Sequence, residues 1–120
     1  AKFGNAMLNN YLIDTTTSNI LFTPVKLNNG EVNEQNYALG WRNDVSEKTF
    51  SDKQKIRIIH HGGVAMGSSA LLVILPEYNI SVAIAMNRTN ESFELFDTVN
   101  KLIEYFISIE SNRVNQSKSI

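Results

Sequence analysis

Ile58-Ile59-His60-His61-Gly62-Gly63-Val64-Ala65-Met66-Gly67-Ser68-Ser69-Ala70-Leu71-Leu72-Val73-Ile74-Leu75-Pro76-Glu77 is the stretch that decides the fold. It reads as a short apolar strand, a His-x-Gly-Gly turn, a loop of small residues and a second, wholly apolar strand closed by Pro-Glu. Ala70 to Leu75 is an unbroken apolar run, which suits a strand buried on both faces. Paired glycines at the end of a strand leave backbone N–H groups unshielded by side chains. Such groups can hold an anion or a reacting carbonyl oxygen.

The elements on either side extend this into an α+β pattern. Pro76 to Asn79 is a turn, and Ile80 to Met86 is a second apolar run that pairs with the first as an antiparallel hairpin. Ala83 and Ala85 keep one face of that strand small, so that a helix can lie close. From Glu91 the period becomes helical, with Leu95, Phe96, Val99, Leu102, Ile103, Phe106 and Ile107 on one stripe. Asp97 and Lys101 are spaced to pair on the other face. Residues 111–120 are polar and read as a frayed tail. Upstream, Arg57 to His61 reads as one strand and Tyr37-Ala38-Leu39-Gly40-Trp41-Arg42 as another, with residues 43–54 as a polar loop between them. Tyr37 and Trp41 read as core or cleft wall. Phe3, Met7 and Tyr11 mark a helical face over residues 2–12. Asp14 or a following threonine caps a second short helix, which ends before Pro24. Asn28-Asn29-Gly30 is a turn.

Composition narrows the function. The chain has 120 residues, 42% of them apolar and 19% charged, as in ordinary globular chains. A net charge of −1 gives no electrostatic case for nucleic acid or an anionic membrane. Lys53, Lys55 and Arg57 form the one loose basic group, read as solvated. The absence of cysteine excludes a disulfide framework, thiol catalysis and cysteine-ligated metal. No apolar run approaches the ~20 residues of a membrane span. Asn79, Asn87, Asn90 and Asn115 each open an Asn-x-Ser/Thr triplet, read as chance in an asparagine-rich chain. His60 and His61 are adjacent in a strand and point to opposite faces, so they do not share a metal ion. Gly62-x-x-x-x-Gly67 has phosphate-loop spacing, but the lysine is missing and a strand follows. Ser68 and Ser69 lack a base partner and read as structural.

The string from Ile58 to Glu77 resembles the third motif of the serine β-lactamase and penicillin-binding protein superfamily. It is most similar to the class C-like and esterase branch, where His-x-Gly replaces Lys-Thr-Gly. Further segments resemble that branch in the same order: Lys2 to Asn9, Leu21-Phe22-Thr23-Pro24, Tyr37-Ala38-Leu39-Gly40-Trp41, the hairpin and the last helix. The resemblance covers about residues 2–108. It implies a partial β-lactamase/transpeptidase-like fold, with an antiparallel sheet flanked by helices. Residues 1–24 would then be the end of a helical domain, 25–110 the C-terminal half of the sheet domain and 111–120 a tail. It also implies acyl transfer on a small-molecule β-lactam, peptide or ester substrate, with no cofactor, in a periplasmic or other extracytoplasmic setting.

Carried over by residue, His60 takes the place of the motif lysine, Gly62 is its glycine, and the Gly63 N–H is one oxyanion-hole donor. His61 and Val64 line the substrate cleft. The family's Ser-x-x-Lys and Tyr-x-Asn or Ser-x-Asn motifs, which supply the nucleophile and proton-transfer groups, are absent. The expectation is therefore a C-terminal piece of a serine hydrolase, inactive alone. The alternative is a binding or assembly module that kept the sheet without the chemistry. Such a piece would lack the N-terminal strand beside residues 80–86 and the cover over the sheet face opposite the last helix, and would form homo-oligomers through one of those surfaces.

Overall fold

A computed structural model describes residues 1–46, 55–89 and 92–117. The architecture is α+β: four antiparallel strands in the order β1-β2-β3-β4, with helices on both faces. The strands are β1 (Arg42–Val45), β2 (Arg57–Ala65), β3 (Ser68–Leu75) and β4 (Ile80–Met86). Helices α1 (Lys2–Leu8) and α2 (Thr15–Phe22) precede the sheet, and α3 (Ser92–Ser117) follows it. Among the described residues, no helix is long and apolar enough to cross a membrane.

Alternation along the strands divides the core in two. On one face, Ile56, Leu71, Val73, Leu75 and Val82 pack under Leu95, Val99, Ile103 and Ile107 of α3. On the other, Ile59 and Ile74 pack with Met7 of α1 and with Trp41. Trp41 belongs to the core, with Phe22 edge-on at 5.5 Å and Phe3 stacked beyond it at 6.3 Å. Helix α1 approaches the sheet through Gly4, where an added Cβ would lie 2.1 Å from Ser81 Oγ and 2.8 Å from Ile74 Cγ2. The face opposite α3 is therefore covered around Ile59 and Ile74, contrary to the expectation of a bare face. It stays open farther along, where Gly63, Ala65, Ala70, Ala83 and Ala85 are exposed.

Local signals place several elements where the sequence puts them. Asp14 caps α2, its Oδ1 accepting from Thr17 N–H at 2.7 Å. This hydrogen bond holds the Asp14 carboxyl below the usual carboxylate range. Asp97 and Lys101 pair at 2.7 Å across one turn of α3. Gly30 adopts φ +87° in the expected turn, with its N–H on the Leu27 carbonyl at 2.9 Å. Helix α1, however, stops at Leu8, and Asn10 at φ +55° reverses the chain, so Tyr11 is exposed instead of extending the helical face.

Three boundaries differ from the sequence reading. The strand expected over Tyr37–Arg42 is a turn: Gly40 takes φ +80°, Ala38 N–H donates to the Trp41 carbonyl at 2.7 Å, and Tyr37 keeps one isolated bridge to Arg42. The strand begins where the turn ends and includes Asn43, Asp44 and Val45, which polarity had assigned to a loop. Residues 47–54 of that expected loop, Lys53 included, and Asn90 lie outside the described residues. Second, Gly62 and Gly63 do not form a turn. They lie within β2, opposite Leu71 and Ala70, and the turn is Met66-Gly67 with Gly67 at φ +78°. Third, α3 continues to Ser117, through most of the expected tail.

Candidate functional site

Strand β2 is longer than its neighbour β1. The β1–β2 register runs from Val45 opposite Arg57 to Arg42 opposite His60, and there β1 ends. Beyond His60, no described strand pairs with that side of β2. A cavity of about 400 Å³ opens at this free edge, lined by Tyr37, Arg42, His60, His61, Gly62, Gly63, Val64, Leu71, Leu95 and Phe96. The fold thus brings every residue singled out in the motif to one place.

The two histidines have separate surroundings, as adjacent strand residues must. His60 is 6% exposed and faces α3. Its ring meets Phe96 edge-on at 4.7 Å, and its Nε2 lies 2.8 Å from Asp44 Oδ2. A carboxylate only accepts, so Nε2 carries the proton in this pair. Burial lowers the His60 pKa, while the hydrogen bond and charge of Asp44 oppose that shift. His61 is exposed, with its Nε2 3.0 Å from Tyr37 Oη.

Asp44 and Asn36 were not found by sequence reasoning. Asp44 Oδ1 accepts from Asn36 Nδ2 at 2.9 Å, and the Asn36 carbonyl accepts from Asn43 N–H at 3.1 Å. Asn36 holds φ +49°, immediately before Tyr37. The chain of contacts therefore joins His60 through Asp44 to the loop that carries Tyr37. Once β1 is placed at Arg42–Val45, the signal is plain. Asp44 stands opposite Ile58 and diagonal to His60, within side-chain reach on the same face.

The ladder also fixes which N–H groups meet the cavity. Ser46 N–H donates to the Ile56 carbonyl at 2.8 Å. In an antiparallel pair, successive residues turn their N–H and C=O to opposite sides. Ile56, Ile58 and His60 therefore face β1, and the intervening residues face β3. Carried past His60, the alternation turns Gly62 and Val64 to the free edge and Gly63 toward Ala70. The N–H of Gly63, expected to serve as the oxyanion donor, is directed into the ladder.

Ser68 and Ser69 lie in the hairpin beyond the cavity. The Ser69 hydroxyl donates to the Arg88 carbonyl at 3.0 Å, and its residue is buried. Among the described residues, no three His, Cys, Asp or Glu side chains cluster as metal ligands. Comparison with family models, with curated proteins and with solved structures finds no match in any of the three.

Proposed function

We propose that this chain is the sheet portion of a β-lactamase-like serine hydrolase, acting by acyl transfer on a small amide or ester. The nucleophile and base are supplied from outside these 120 residues, since Ser-x-x-Lys is absent. The observation that carries the reading is the free edge of β2 beyond His60, with its backbone donors facing a cavity of about 400 Å³. In this proposal the edge donor is Val64 N–H rather than Gly63. His61-Gly62-Gly63 also satisfies His-x-Gly, with Val64 as the residue that follows. His61 then takes the exposed motif position beside Tyr37, and His60 becomes the buried group that holds β1 and β2 together.

An aimed N–H donor stabilises the oxyanion of a tetrahedral intermediate, and losing one typically costs ~10²–10³ in kcat. The test is made in the protein that carries this chain together with a Ser-x-x-Lys helix, assayed with an activated ester and a fluorescent penicillin. Val64→Pro is expected to lower kcat by ~10²-fold or more, while Gly63→Ala stays near wild type. An added Cβ at Gly63 meets nothing within 4 Å. Unchanged turnover in Val64→Pro would remove the strand edge from catalysis. The isolated chain is expected to leave nitrocefin and p-nitrophenyl esters intact, and acylation of Ser68 or Ser69 seen by mass spectrometry would contradict the proposal.

The second reading is a binding module without chemistry. It draws on the same site: His60 is engaged with Asp44 and Phe96 and is not free for proton transfer. Failure of the full protein to label with either reagent would favour it.

A further inference from the structure

Both backbone polar groups of Tyr37 are engaged, and one side chain engages both. Asn33 Oδ1 accepts from Tyr37 N–H at 2.8 Å, and Asn33 Nδ2 donates to the Tyr37 carbonyl at 2.8 Å. The same amide nitrogen also donates to the Val25 carbonyl at 2.8 Å. Val25 N–H in turn donates to the Tyr37 carbonyl at 2.9 Å. An asparagine side chain can make about four hydrogen bonds, and most of those of Asn33 serve this one junction. On the other flank, Asn36 is tied to Asp44, and Tyr37 bridges Arg42. The backbone of Tyr37 is therefore pinned from both sides, and its ring keeps only its own side-chain torsions.

What that ring reaches is His61. Tyr37 Oη lies 3.0 Å from His61 Nε2, with the rings inclined at 70° and both residues lining the cavity. Two placements of the protons fit this distance. The hydroxyl donates to a bare Nε2, or it accepts from Nε2–H. A phenol is a stronger proton donor than a neutral imidazole N–H, because its anion is the more stable of the two. A bare imidazole nitrogen is a stronger acceptor than the phenol oxygen, whose lone pair is shared with the ring. The O–H···N arrangement therefore wins. The imidazole proton then sits on Nδ1, since the bond made by one ring nitrogen fixes the state of the other. His60, one residue earlier, is in the opposite state, with Nε2–H donating to Asp44.

We propose that Tyr37, clamped by Asn33, is a positioning residue that holds His61 as an Nδ1–H donor, so that His61 binds an acceptor oxygen of the substrate and takes no proton from it. A general base needs a bare nitrogen, and the bare nitrogen here, Nε2, is occupied by the tyrosine proton. Nδ1 is the ring nitrogen left for a ligand in the cavity that His61 lines. Adjacent histidines thus carry their protons on different nitrogens. The tautomer of His61 rests on the geometry alone, whereas its role toward substrate rests on the hydrolase reading proposed above.

Long-range proton–nitrogen-15 correlation of the imidazole rings reads the tautomers directly. It is run on the chain itself at pH 8.5, above the ordinary titration range of imidazole. The chain has 2 histidines, and His60→Gln assigns them. His61 is expected to show a protonated Nδ1 and a bare Nε2, and His60 the reverse. Tyr37→Phe keeps the ring and removes the proton. It is expected to shift His61 to Nε2–H, the form that free histidine favours, with His60 unmoved. Asn33→Ala is expected to shift His61 the same way. Circular dichroism verifies that each variant is folded, and Tyr37→Phe decides the matter if Asn33→Ala is not. In the protein that carries this chain with a Ser-x-x-Lys helix, His61→Ala is expected to lower kcat/KM on the activated ester about tenfold, the worth of one hydrogen bond. His61→Asn puts an amide donor near the place of Nδ1–H and is expected to recover part of that loss. An Nε2–H tautomer in the wild type, a tautomer indifferent to Tyr37→Phe or to folded Asn33→Ala, or a His61→Asn as impaired as His61→Ala would overturn the proposal. Absence of turnover in that protein would remove the hydrolase reading and the role toward substrate with it, while the ring measurement stands.

Discussion

The two free edges of this sheet differ in the way that separates a binding edge from a pairing edge. The edge of β2 beyond His60 carries glycines, an exposed histidine and a tyrosine, with Arg42 at its start. The edge of β4 carries alanines and a serine and no charged side chain. Both expose backbone N–H and C=O groups, so backbone chemistry does not tell them apart. What surrounds the backbone does. Polar side chains and a concavity favour a small ligand with its own hydrogen-bonding groups. An uncharged strand edge favours pairing with another strand.

The largest expected effect breaks both edges at once. Ile103 is fully buried between α3 and the sheet. Ile103→Ala should cost about 2–5 kcal/mol in a urea melt, because it leaves a cavity as well as losing burial. A cost under about 1 kcal/mol would mean that α3 can collapse onto the sheet without it, and that neither edge depends on its position.

A smaller effect sharpens the account of the β2 edge alone. Asp44→Ala leaves the buried His60 N–H without its acceptor, which should cost about 1–3 kcal/mol. The same change releases Asn36 and should broaden the Tyr37 and His61 signals in an NMR spectrum, while residues of β4 keep theirs. Broadening at β4 would show that the two edges are not independent.

The same pair gives a pH dependence. Burial, opposed by Asp44, sets the His60 pKa below its ordinary 6.5. The unfolded chain therefore binds this proton more readily than the folded one below that value. Stability from neutral His60 is present above pH 6.5 and is lost as pH falls through the lowered folded value. The thermal midpoint of the wild type should fall from pH 7.5 to 5.5 more than that of His60→Gln. Equal slopes would remove His60 as the cause.

The smallest effect is at the rim. Tyr37→Phe removes an exposed hydrogen bond to His61, and should change stability by less than about 1 kcal/mol. It should nonetheless move the His61 ring signals in an NMR spectrum, because their hydrogen-bond partner is gone. A large loss of stability would place Tyr37 in the core instead of at the cavity.

Much of the frame was legible because it rests on local chemistry. The Ile80–Met86 strand, the Asp14 cap, the turn at Gly30, the halt before Pro24 and the Asp97–Lys101 pair each follow from residues within a few positions of one another. Errors arose where a residue type has two uses. Gly62-Gly63 reads as a turn, yet glycine is equally admissible in a strand whose free edge lies beside a cavity. Asn43-Asp44 reads as a loop because it is polar, yet Asn43 is held by the Phe22 carbonyl and Asp44 by His60, so a short polar strand is satisfied there. The helical stripe of α3 includes Leu102 and Phe106 by period, but a single sheet face cannot bury so wide an arc, and they remain exposed.

By itself the sequence determined the class of the fold, antiparallel α+β, while the continuation of β2 through Gly62, Gly63 and Val64 came from pairing with β3. Periodicity and turn chemistry are properties of neighbouring residues, and no distant contact is needed to read them. Only the tertiary structure decided where β1 lies, that Asp44 meets His60, and that Val64 rather than Gly63 turns its N–H to the free edge. Those outcomes depend on register. A shift of one residue exchanges the two sides of a strand, and only pairing with a second strand, fixed by the burial of both, removes that freedom.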